Sequence, residues 1–216
     1  LVDQIDGAPA IRISGQHFGG IVTHASYTNY RLIAEYRWGA VTWAPRKEKA
    51  RDSGILFHLS GDVGNNNKNF HGAGTRSVEY QILEGGTGDL WLVNGYDRDK
   101  PEPTSPTLMI AVKPGQRVWD PSGTPTEFKL GRIAWGGIDP NWKPDLNFRG
   151  RHDVEKPVGQ WNRIELICSG GDVTYFLNGQ KVNEGRNGSD TAGPLLFQSE
   201  GAEIFFRLIE LHPLTQ

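Results

Sequence analysis

Two large polar side chains, Glu79 and Gln81, stand two residues apart in the run SVEYQILEGGTG (77–88). Side chains alternate along an extended strand, so both point to one face while Tyr80 and Ile82 point to the other. A carboxylate beside an amide offers the mixed donors and acceptors that sugar hydroxyls require. A partly desolvated carboxylate can also act as a general base. Glu35 and Arg37 in YRLIAEYRW (30–38) and His58 in SGILFHLSG (53–61) carry the same outward parity. If their strands are neighbours, one sheet presents carboxylates, a guanidinium, an amide and an imidazole together. Outward charges on half-exposed strands also form ordinary cross-strand ion pairs that contribute little. The parity alone therefore fits a solvated surface as well as a site. Trp43, Trp119 and Trp142 fall in expected loops, where an indole can stack on a sugar ring or cap the core.

The elements that must position these groups are strands. In YRLIAEYRW, Tyr30, Leu32, Ala34, Tyr36 and Trp38 share one face. The runs SGILFHLSG, SVEYQILE, DLWLVNG (89–95), TLMIAVKPG (107–115) and EFKLGRIAW (127–135) follow as further strands. In WNRIELICSGGDVTYFLNGQKVNEG (161–185), SGGD and NG are hairpin turn signals between β-rich runs. PLLFQSEGAEIFFRLIELHPL (194–214) reads as two strands around Glu200-Gly201. The count is about ten or eleven strands, with no amphipathic helix and no internal repeat. The expected fold is all-β: a two-sheet antiparallel sandwich occupying residues 1–216 as a single domain, with Ile55, Phe57, Tyr80, Ile82, Ile204 and Phe206 in its core. Arg207, set in IFFRLIEL, must reach a carboxylate, several carbonyls or water, because an unpaired buried charge is costly.

Composition narrows the function. The 216 residues carry a formal net charge of −2 with no basic stripe, which argues against nucleic acid. No run approaches the ~18 apolar residues of a membrane span. A high glycine content, 28 residues, suits short strands joined by tight turns. FHGAGTRS (70–77) and GGTGDL (85–90) lack the strand–loop–helix context of a phosphate loop. Cys168, the single cysteine, lies in the apolar run IELIC and reads as a small buried hydrophobe, so no intrachain disulfide forms. His17 with His24, and His152 with Asp153, are weak metal-type pairings, and HGAG has no defined ligand spacing. No cofactor is certain from the sequence, and no oligomeric state is set by it.

Taken in order, YRLIAEYRW, RDSGILFHLSG, SVEYQILEGGTGD, DVEKPVGQWNRIELICSGGDVTYFLNGQKVN and GPLLFQSEGAEIFFRLIEL resemble the bacterial 3-keto-disaccharide hydrolase family, also described as 3-keto-glucoside lyase/hydratases. The resemblance runs from about Phe18 to Leu214. It implies a concanavalin A-like jelly roll, an oligosaccharide or glycoside substrate with an oxidised ring, and a periplasmic or secreted location. No signal peptide is visible, and the start at Leu1 suggests a trimmed chain. The pattern departs from many relatives at His58 and Asp52, where they carry Arg and Asn. A ketone at C3 acidifies the proton on C2, so such an enzyme needs a base, a holder for the enolate oxygen and a donor to the leaving oxygen. Glu79 or His58 would be the base. Arg37 or a bound divalent metal would hold the enolate oxygen. Gln81, Glu35, Asp52, Trp43 and Trp142 would contact the sugar, and Glu200 would act as acid or metal ligand.

Two other readings compete. Glu79 and Glu84, with Gln81 between them, resemble the E-x-D-x-x-E strand of laminarinase-type retaining glycosidases on the same jelly roll. That pairing needs a β-bulge, since strict alternation sets Glu84 opposite Glu79. Jelly rolls also serve as non-catalytic lectins or carbohydrate-binding modules, and fold alone does not decide.

Overall fold

A computed structural model describes residues 1–69 and 72–215. Among these residues there is no helix, and fifteen strands are present: β1 (Val2–Ile5), β2 (Ala8–Ile13), β3 (Gly19–Val22), β4 (Tyr30–Thr42), β5 (Asp52–Phe57), β6 (Ser77–Leu83), β7 (Leu90–Val93), β8 (Leu108–Val112), β9 (Thr124–Phe128), β10 (Gly131–Ile133), β11 (Asn162–Ser169), β12 (Asp172–Leu177), β13 (Gln180–Gly185), β14 (Leu195–Ser199) and β15 (Ala202–Pro213). The count exceeds ten or eleven for two reasons. The N-terminal strands carry weak alternation, and the run 127–135 breaks in two at Gly131. Gly131 has φ +86°, a left-handed conformation that glycine adopts without a Cβ penalty, and it turns the chain into β10 and away from the line of β9.

Two antiparallel sheets face each other. The seven-stranded sheet runs β1-β2-β15-β4-β11-β12-β13, and the six-stranded sheet runs β10-β7-β6-β5-β14-β3. The pair β8-β9 stands beside them. This is an antiparallel jelly-roll sandwich.

The inward faces form the core. Ile55, Phe57, Tyr80, Ile82, Ile204 and Phe206 are all buried, as are Tyr30, Leu32, Ala34, Tyr36 and Trp38 along β4. Tyr80 stacks on Tyr175 from the opposing sheet, ring centroids 4.5 Å apart. Their hydroxyls cross the sandwich in opposite directions: Tyr80 donates to the Phe176 carbonyl and Tyr175 to the Glu79 carbonyl, each at 3.1 Å. A buried phenol needs such a partner, and here one of them pins the backbone that carries Glu79. Cys168 is fully buried, and burial pushes its thiol up to about 12, so it packs as a hydrophobe.

Candidate active site

The outward face of the six-stranded sheet is a grid set by strand register. One row crosses Arg132, Trp91, Glu79, Leu56, Leu196 and Val22. In the next row Gln81 lies opposite Gly54, and Gln198 opposite Gly20. Asp52 pairs with Leu83 one step further on. Loops from around Phe18, Arg46, Asn66, Ala73 and Trp142 close over this grid and leave a cleft of about 440 Å³. That volume lies within the ~300–1,000 Å³ usual for small-ligand sites.

Glu79 is the centre of the cleft. It is only 5% exposed, and its Oε1 has no hydrogen-bond partner. Its carboxyl lies over Gly54, where an added Cβ would sit 2.1 Å from Oε1. Glycine at 54 is therefore the condition for this placement. Burial pushes the Glu79 pKa well above the usual carboxylate range, and the nearby carboxyls of Glu200 and Asp52 raise it further.

Asp52 and Glu200 share Arg46, whose guanidinium is 2.5 Å from Asp52 and 3.8 Å from Glu200. Gln81 donates its amide to the other Asp52 oxygen and to the Ser53 carbonyl. Burial still raises the pKa of Asp52, helped by Glu200 and opposed by Arg46, Arg132 and Gln81. Glu200 is raised by burial as well, against the pull of Arg46. Gln198 is buried beside them with an unpartnered Oε1. The end of the cleft formed by β5 and β14 thus holds several carboxyls crowded around one guanidinium.

The other end is aromatic. Trp91 lines the cleft and is 37% exposed. Arg132 lies with its Cζ 4.2 Å from the centre of the Trp142 ring, its Nε held by the buried carboxylate of Asp89. Trp142 donates its indole N–H to the Glu84 carbonyl at 2.9 Å. Gly85, at φ +71°, makes the packing feasible, since a Cβ there would press on Phe148 and Trp142. Asn147 and Arg51 bind the Glu84 carboxylate, fastening the loop that carries Trp142.

Asp52, Glu79, Gln81, Glu200 and Trp142 are thus brought together in one cleft. Four other expected site residues are placed elsewhere. Glu35 and Arg37 lie on β4, in the opposite sheet, so their shared parity with Glu79 leads to the far side of the sandwich. There Glu35 pairs with Arg207 at 2.7 Å and Arg163 at 3.8 Å, and Arg37 pairs with Asp6 at 3.1 Å. His58 follows the end of β5 with φ +53°, which breaks the alternation and turns its ring against Tyr30 and Phe57. Its Nδ1 is 2.9 Å from the Asp190 carbonyl, and burial pushes its pKa down. Trp43 lies outside the cleft lining and donates its indole N–H to the Ser14 carbonyl.

Glu84 is likewise no partner for Glu79. Its carboxylate is taken up by Arg51 at 2.6 Å, and β6 pairs with β5 without a register shift, so the bulge a laminarinase-type pair requires is missing from that pairing. Arg46, Gly54, Trp91, Arg132 and Gln198 were not singled out from the sequence as site residues. Trp91 had a readable signal, because Leu90 and Leu92 face inward on either side of it. Arg46 had none, since it lies in a loop without periodicity.

A divalent metal does not fit the groups as they stand. Among the described residues, no set of three or more His, Cys, Asp and Glu side chains is arranged to hold a metal ion. Both oxygens of Asp52 are already engaged, and Arg46 brings a positive charge into the carboxyl cluster. His71, in the HGAG run, lies outside the described residues.

Comparison with known proteins agrees with the fold. Two candidate glycosyl hydrolases from Parabacteroides distasonis ATCC 8503 superimpose on the chain. One does so with a TM-score of 0.52 at 19% identity, over 99% of this chain and 90% of that one. The other gives 0.51 at 17% identity, over 99% and 83%. The carbohydrate-binding module CBM66 from Bacillus subtilis gives 0.51 at 8% identity, over 98% and 91%. At such identities the likeness is one of fold. No curated protein matches the sequence. The family described as "3-keto-alpha-glucoside-1,2-lyase-like domain" matches residues 5–212, nearly the whole length, and the chain belongs to that family.

Proposed function

We propose that the cleft cleaves 3-keto-glycosides by β-elimination between C1 and C2, and that water added back to the product completes a net hydrolysis. One observation carries this reading. Glu79 is a buried carboxyl with a raised pKa and a free oxygen, set in a ligand-sized cleft. Such a group has the proton affinity and the room to take a proton from carbon. Family membership supports a 3-keto sugar as the substrate class.

The steps follow from the chemistry of the ketone. Glu79 removes the proton from C2, and that electron pair forms the C2=C3 bond of an enolate. The C3 carbonyl then re-forms, the electrons move into C1=C2, and the C1–O bond breaks. The leaving oxygen takes the proton that Glu79 removed. Arg46 and a protonated member of the Asp52–Glu200 pair face the enolate oxygen. A carboxyl kept neutral by its surroundings can donate a hydrogen bond there. Gln81 holds Asp52 in place. Water adding to C1 of the unsaturated product gives the free 3-keto sugar.

The test is incubation with 3-keto-glucosides and with their unoxidised parents, following aglycone release and enone absorbance. The expected result is release from the keto substrates alone, with a transient enone. Equal release from the parents would remove the ketone from the mechanism and sink the reading.

A further inference from the structure

The two ends of the cleft differ in chemistry, and the difference assigns a polarity to the substrate. Beside Glu79 on the β5 and β14 side lie Asp52, Gln198, Glu200 and Arg46, which bond to oxygen atoms. On the β7 and β10 side lie Trp91 and the Arg132–Trp142 stack. Trp91 is the direct register partner of Glu79, so its exposed indole begins one strand spacing, about 4.8 Å, from the strand that carries the base. Arg132, the next partner in the row, is held by Asp89 and lies over Trp142, so this wall is fixed before any ligand arrives. A fixed, partly exposed aromatic surface suits the apolar face of a ring.

We propose that Trp91, backed by the Arg132–Trp142 stack, is the leaving-group subsite, and that it selects glycosides whose C1 substituent is itself a ring with an apolar face, such as a second pyranose or a phenol. This rests on the reading of Glu79 as the C2 base. With C2 at Glu79 and the C3 oxygen toward Arg46, Asp52 and Glu200, the C1 substituent extends toward Trp91. A small alkyl leaving group would leave the indole uncovered.

The test compares the affinities of the wild type, Trp91→Ala and Trp91→Phe for three unoxidised glucosides by calorimetry. The ligands are methyl glucoside, phenyl glucoside and a glucosyl-glucose disaccharide, and thermal melts confirm that each variant is folded. Wild type should bind at least one ring-bearing ligand about tenfold more tightly than methyl glucoside, the ratio expected from one good stacking contact. Trp91→Ala should bring that ratio to about 1, and Trp91→Phe should restore part of it. A gain with both ring ligands means the subsite reads a ring face in general, and a gain with one alone names its preferred class. A wild-type ratio of 1, or a ratio unchanged in Trp91→Ala, overturns the subsite. Because the comparison needs no turnover, the subsite stands or falls apart from the reaction, whose failure is read separately by inactivity on 3-keto substrates.

Discussion

On the outer face of the seven-stranded sheet, Glu35 stands between Arg207 at 2.7 Å and Arg163 at 3.8 Å, all three side chains in reach of water. On the outer face of the six-stranded sheet, Glu79 stands over Gly54 with one oxygen unpartnered and almost no water contact. Both glutamates sit on strands of regular alternation, pointing away from the core. What separates them is cover. The first face is open, and its charges settle against each other and against the Trp161 ring, which lies 3.9 Å from the Arg207 guanidinium. The second is roofed by the loops that carry Arg46, Asn66 and Trp142, so Glu79 loses solvent while its Oε1 gains no partner in exchange. An outward carboxylate becomes a candidate for chemistry when something excludes the water that would otherwise satisfy it.

The sharpest way to break this contrast is to neutralise each glutamate. Glu79→Gln keeps the shape and removes the base, so turnover of a 3-keto-glycoside should fall by about 10²–10⁴-fold. If turnover survives, the covered face is as passive as the open one. Gly54→Ala should come next. Its methyl occupies the space of the Glu79 carboxyl, so a stability loss of about 1–3 kcal/mol should accompany a fall in turnover, read by denaturant melts and rates together.

The pH dependence sharpens the same comparison. Glu79 must be ionised to act, and its pKa is raised, so the acid limb of the rate profile should lie above the ordinary range near ~4.3. The Asp52–Glu200 pair must keep a proton, so the rate should fall again on the alkaline side. A raised carboxyl pKa also means that the folded state holds its proton more tightly than the unfolded chain does. That contribution to stability is full below about pH 4 and is lost as the pH rises through the folded value. Glu79→Gln removes the loss, so it should melt above the wild type at pH 7, with the gap closing toward pH 4. A lower melting temperature at pH 7 would mean that the ionised carboxyl is stabilised by its surroundings.

Glu35→Gln gives the smallest expected effect. Its partners are part-exposed, so the change should cost about 0–1 kcal/mol and leave turnover where it was. A large loss of activity would mean that the open face also takes part in function.

Much of the sandwich was legible in the sequence. The alternation in YRLIAEYRW and SVEYQILE separated inward-facing from outward-facing side chains correctly, because the two-residue period is a property of each strand by itself. The outward placement of Glu79 and Gln81 followed from the same rule. The cost of an unpaired charge left Arg207 a carboxylate, several carbonyls or water, and the structure supplies the carboxylate of Glu35. The tertiary structure alone decided which strands share a sheet. β4 joins β11 and β15, and β5 joins β6 and β14, so Glu35 and Glu79 face opposite sides of the molecule despite equal parity. It alone turned His58 inward at a left-handed residue, and brought Arg46, Trp142 and Glu200 from distant loops over the grid. Parity is a local fact, whereas strand partnership and loop cover are set by contacts between residues far apart in the chain. The pairing of Arg207 with Glu35 across 172 positions is one of them, and no local pattern in the sequence encodes it.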